Sequence, residues 1–123
     1  MGKNIVKDKS YQFALRIIKL FQYLSEQKKE FVLSKQILRC GTSIGALVRE
    51  GEQAESKADF IHKMAISLKE ANETEYWLNL IKDAGYIDKK MFDSIIKDCK
   101  EIAALLTSII KTTKSKLKID NGK

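Results

Sequence analysis

The chain has no proline in its 123 residues and only 6 glycines. A fold of many short strands needs frequent turns, and turns draw heavily on those two residues. Their scarcity, with apolar residues recurring at spacings of three and four, predicts long amphipathic helices instead. The expected fold class is all-α, an antiparallel up-and-down four-helix bundle. At this length the chain is one domain (1–123, with an ordered core over 8–115) and can bury a core without staples.

The first helix is expected over Lys9–Gln27, capped by Asp8 or Ser10. Tyr11, Ala14, Ile18 and Phe21 set its stripe, which Leu15, Ile17, Leu20 and Leu24 widen. A face that broad predicts contacts beyond one neighbour, including another subunit. Lys28-Lys29-Glu30 is a short connection, and the second helix starts near Ser34. Ile37, Cys40 or Gly41, Ile44, Val48 and Gly51 recur along it. Gly41 and Gly45 lie four apart on one face, and each costs about 1 kcal/mol relative to alanine. Such a pair implies close approach of another backbone; the alternative is a break at Gly41-Thr42.

Glu50–Ser56 forms the next turn, with Ser56 as N-cap and Asp59 three residues on. The third helix runs to Ala84 on the stripe Phe60, Met64, Ala71, Leu78 and Ile81, and Gly85 takes the left-handed C′ place. Asp88 caps the fourth helix, whose stripe is Phe92, Ile95, Cys99, Ile102, Leu106, Ile109 and Leu117. From Lys114 onward the apolar content falls and the helix is expected to fray.

Catalytic and cofactor chemistry find no support. Cys40 and Cys99 are in no C-x-x-C spacing and fall on apolar stripes, as small buried hydrophobes do. A di-iron bundle requires paired Glu-x-x-His motifs. Here the single histidine, His62, follows Asp59 and is expected in solvent. No glycine-rich phosphate loop is present. The chain is therefore expected to be no enzyme and to take no cofactor and no metal. Met1–Ser10 is polar and no apolar run approaches the roughly 20 residues that span a bilayer, so the expected place is the cytoplasm, with no membrane partner.

Net charge is +7, distributed as +4 over residues 1–30, −1 over 31–106 and +4 over 107–123. In an up-and-down bundle both ends lie at one pole, and a basic pole attracts polyanions; the same lysines also serve solubility. On the second helix Arg39, Ser43, Ala46 and Glu50 share a face. A polar network of Arg39, Ser43 and Glu50 with Glu70 and Glu73 of the third helix would set the register of the two helices. The functional alternative is that Arg39, Arg49, Lys57 and Lys63 present cations to nucleic-acid phosphates. Tyr76 and Trp77 are adjacent and cannot both face one neighbour.

The run from Arg39 to Gly51, R-C-G-T-S-I-G-A-L-V-R-E-G, resembles the signature R-x-x-x-S-I-G-A-N-V-x-E-x of the bacterial four-helix-bundle family also called 23S rRNA-intervening-sequence proteins. Lys57, Asp59–Lys63 and Leu68–Leu78 resemble its second half, and the likeness spans residues 8–115. Leu47 departs from the pattern, where the family usually has Asn. The resemblance implies a bundle that assembles into a homo-oligomeric ring, typically a pentamer. It also implies kinship with the accessory protein of diversity-generating retroelements, which partners a reverse transcriptase and binds nucleic acid. Two functions from different classes follow as expectations. One is a non-enzymatic oligomer that binds RNA or DNA through basic surface groups. The other is a protein–protein adaptor ring for a partner encoded nearby, such as a reverse transcriptase.

Overall fold

Residues 2–122 are described by a computed structural model. It is all-helical: α1 (Gly2–Glu26), α2 (Leu33–Glu52), α3 (Lys57–Asp83) and α4 (Lys89–Asn121). Each helix packs against its sequence neighbours, and α1 meets α4 to close the cycle, the most thinly packed of the four seams. Contacts along each seam pair rising with falling residue numbers. Ser10 and Ile17 of α1 lie against Gly45 and Gly41 of α2. Lys63, Ser67 and Glu70 of α3 meet Glu50, Ile44 and Arg39 of α2. Cys99 of α4 reaches Ala71 of α3, and Lys9 and Arg16 of α1 reach Glu101 and Asp98 of α4.

The expected start of α1 needs correction. The helix begins at Gly2, and Asp8 and Ser10 sit inside it, with Ser10 buried and donating to the Lys7 carbonyl at 3.1 Å. The buried stripe is Val6, Phe13, Ile17, Leu20 and Leu24, with Ser10 filling the step between the first two. Val6 carries the helical pattern back past Asp8 and Lys9, which face solvent. Of the expected stripe, Tyr11 and Ile18 instead face outward, 51% and 38% exposed, as does Leu15 at 41%.

Glycines explain the closeness of α2. A Cβ on Gly41 would stand 2.7 Å from Cγ1 of the buried Ile17, and one on Gly45 would stand 3.3 Å from the Ser10 carbonyl. The helix is unbroken at Gly41-Thr42. Gly51, expected in a turn, is inside α2 and buried against Met64.

The remaining boundaries have local causes. Ser56 accepts from the Asp59 N–H at 3.0 Å and Asp88 from the Met91 N–H at 2.8 Å, so both caps form as expected. Gly85 has φ +87°; its N–H bonds the Lys82 carbonyl and the Tyr86 N–H bonds Ile81, the Schellman pattern that lets Ile87 fold back onto the core. In α4 the stripe Phe92, Ile95, Cys99, Ile102 and Leu106 is buried, joined by Ile96. The helix does not end near Lys114 but continues to Asn121, held beside the start of α3 by a Lys57–Asp120 ion pair.

Candidate nucleic-acid interface

Arg39 stands on α2 one position from the buried Cys40, so its guanidinium leans over the α2–α3 seam. It bonds Glu70 Oε1 at 3.2 Å and pairs closely with Glu73. Glu73 also accepts from the Trp77 indole at 2.9 Å, four residues along the same helix. That indole bond, against some burial and together with Arg39, holds the Glu73 carboxyl below the usual carboxylate range. Burial opposes the charge on Arg39, but Glu73 and Glu70 outweigh it and push its pKa up. With one helix's cation clamped by two carboxylates of the next, the register of α2 on α3 is fixed at this point. Ser43 joins only through its own helix, donating to the Arg39 carbonyl at 2.6 Å.

Glu50 lies outside that cluster. It pairs with Lys63 at 3.1 Å, a second α2–α3 bridge nearer the pole of the chain ends. The other residues proposed as phosphate contacts are engaged as well. Arg49 lies over the Tyr11 ring of α1, 5.5 Å from its centre, and Lys57 pairs with Asp120. Arg39, Arg49, Lys57 and Lys63 are thus brought into four separate intramolecular contacts rather than one array. The three ion pairs among them are open to solvent on one side, where such a pair is worth less than about 1 kcal/mol.

No group of three or more His, Cys, Asp or Glu side chains is placed to hold a metal ion among the described residues. His62 is exposed. Both thiols are buried, and burial pushes Cys99 up to about 12 and Cys40 above its ordinary value, so neither is nucleophilic at neutral pH. A cleft of about 510 Å³ is an open groove in the α1–α4 seam between Leu20, Tyr23, Met91 and Ile95. Among the described residues, no helix is long and apolar enough to cross a membrane.

Three features escaped the sequence reading. The Glu73–Trp77 bond was signalled only by their spacing of four. Ser67, buried and donating to the Ile44 carbonyl at 2.9 Å, looked like a gap in a stripe. Glu30, placed in a connection, caps α2: its carboxylate accepts from the N–H groups of Val32, Leu33 and Ser34 at 3.1, 3.0 and 2.7 Å.

Comparison with known proteins agrees with the fold and the motifs. A solved structure, described as a protein with unknown function from the S23 ribosomal protein family of Bacteroides thetaiotaomicron VPI-5482, is 59% identical. It superposes with a TM-score of 0.89 over 90% of this chain and 99% of that one. No curated protein matches. The family described as 23S rRNA-intervening sequence protein matches residues 2–108, across most of the four helices and both signature runs. The chain belongs to the 23S rRNA-intervening sequence protein family.

Proposed function

We propose that this protein is a non-enzymatic, antiparallel up-and-down four-helix bundle that assembles into a homo-oligomeric ring, a pentamer in the simplest reading, and binds RNA or DNA in the cytoplasm through backbone phosphates. The observation that carries the nucleic-acid reading is the placement of charge. The +7 excess belongs to the two ends of the chain. The seam contacts put the start of α1 and the end of α4 toward one pole: Lys7 lies beside Glu52, and Lys57 lies beside Asp120. A basic pole of this kind recruits polyanions without reading sequence. The opposed residue numbers along every seam support the antiparallel topology. Outward-facing Tyr11, Leu15 and Ile18 on α1 supply an apolar face that a second copy would cover.

The test is fluorescence anisotropy of labelled RNA and DNA against the purified protein, at low and at physiological salt. Binding is expected to weaken steeply with salt, and a double substitution Arg49→Glu/Lys63→Glu is expected to weaken it further. Affinity that is the same at both salt concentrations would contradict a phosphate-driven contact.

A second reading, the adaptor ring, is favoured by one observation. Tyr76 on α3 is 60% exposed while its neighbour Trp77 is tied inward to Glu73, so an aromatic ring is offered to solvent next to a rigid anchor. Failure to bind either nucleic acid at low salt, with the oligomer intact, would favour it.

A further inference from the structure

Resting on the nucleic-acid reading, we infer that the phosphate-binding surface is the outward face of α4, a row of lysines running from Lys97 and Lys100 through Lys111, Lys114 and Lys118. The side chains on this face are exposed. At 3.6 residues per turn, Lys100, Lys111, Lys114 and Lys118 fall within about 60° of one another, opposite the buried Ile102 and Leu106. The row from Lys100 to Lys118 is about 27 Å long at 1.5 Å per residue. A strand of duplex nucleic acid advances about 3.4 Å per phosphate, so the row lies alongside several successive phosphates.

The acids of α4 do not neutralise this face. Asp93 is paired with Lys89, Asp98 with Arg16, Glu101 with Lys9 and Asp120 with Lys57. Among the described residues, Lys97, Lys100, Lys111, Lys114 and Lys118 make no ion pair. This is the reverse of the situation at Arg39, Lys57 and Lys63, each of which already holds a carboxylate. A cation without a partner gives up nothing when it takes a phosphate, whereas a paired one must first release its carboxylate. The unpaired lysines therefore carry the attraction. Ser115, on the same side of the helix, adds a hydroxyl donor suited to a phosphate oxygen, whereas the Thr107 hydroxyl is already donated to the Ala103 carbonyl at 2.8 Å. An anionic membrane fits less well, because most of the apolar side of α4 is spent in the core and its exposed large apolar side chains, Met91 and Ile119, stand near opposite ends of the helix. Lys111, Lys114 and Lys118 lie beyond residue 108, where the family match ends, so this part of the row belongs to the chain rather than to the family pattern.

The test compares the triple variant Lys111→Glu/Lys114→Glu/Lys118→Glu with a control carrying the same charge change on exposed, unpaired lysines outside α4, Lys19→Glu/Lys29→Glu/Lys35→Glu. A neutral triple, Lys111→Gln/Lys114→Gln/Lys118→Gln, avoids placing acids near the negative end of the helix dipole. Labelled RNA and DNA of mixed sequence are titrated from about 50 to 200 mM salt. Both α4 triples are expected to lose on the order of 10- to 100-fold in affinity at the low end, with the slope of log K against log salt falling by about two to three. The control is expected to change by less than about threefold. Equal losses in control and α4 triples would overturn the inference, since affinity would then follow net charge and not this face. Unchanged binding by the α4 triples, with loss in Arg49→Glu/Lys63→Glu, would overturn the location and leave the nucleic-acid reading standing. No binding of RNA or DNA by the unaltered protein, or capture by phosphatidylserine vesicles in its place, would remove both.

Discussion

Glu30 lies two residues before the N-cap of α2, yet its carboxylate satisfies three of the N–H groups that begin that helix. Val32, the N-cap residue itself, offers no side-chain bond. Burial acts to raise the Glu30 pKa, but the backbone donors Leu33, Ser34 and Val32 outweigh it and hold it below its ordinary value. Stability from a carboxylate depressed in this way is fully present above the unfolded pKa, about 4.3, and is lost as pH falls through the folded value. Glu30→Gln is therefore expected to cost about 1 kcal/mol at pH 7, with the gap from the unaltered protein closing below about pH 4 in urea melts. A gap that stayed constant down to pH 3 would mean that the carboxylate charge plays no part. The sequence placed this residue in the right connection but gave no sign of its role, because capping signatures are sought at the N-cap and not two positions earlier. At Ser56 and Asp88 the cap sits where the signature expects it, and both were legible.

The element that most constrains the others is α2. Gly41 and Gly45 let α1 approach so closely that a β-carbon on Gly41 would collide with Ile17, a buried and branched side chain with no free direction to turn. Gly41→Leu is expected to destabilise the fold by about 3 kcal/mol or more, since overpacking alone costs roughly 1–3 kcal/mol and this substitution adds four carbons. Thermal melting would show it as a drop on the order of 10 °C. An unchanged melting temperature would mean that the α1–α2 seam can open without cost. The glycine spacing made this approach readable from sequence, though not which helix approaches. The stripes of α2, α3 and α4 were readable for the same reason of period. In α1 the reading slipped because two apolar rows run side by side. Only tertiary packing shows that Phe13 and Leu20 belong to the core while Tyr11, Leu15 and Ile18 belong to the surface. Among the candidate phosphate contacts, the residue types were legible, but their intramolecular partners were not, because Arg49 over Tyr11 and Lys57 beside Asp120 are separated widely in sequence.

At the scale of the molecule, two outer faces differ in what they can meet. The α4 face carries unpaired lysines and would repel a second copy of itself, whereas the α1 face is apolar at Tyr11, Leu15 and Ile18. If the ring forms through α1, Leu15→Glu/Ile18→Glu is expected to yield monomers in size-exclusion chromatography with light scattering. The helical circular dichroism should be kept, because neither side chain is in the core. An oligomer of unaltered mass would place the subunit seam elsewhere. The contact of α1 with α4 has a different consequence. Helices that each touch the next, with the last touching the first, form a closed cycle in which no junction is structurally privileged. The beginning of α1 and the end of α4 face the same pole, and α4 overruns α1 there by about 20 Å at 1.5 Å per residue. A bridge of about six extended residues covers that distance. The order in which the ribosome delivers the four helices is thus only one of several that would arrive at the same seams.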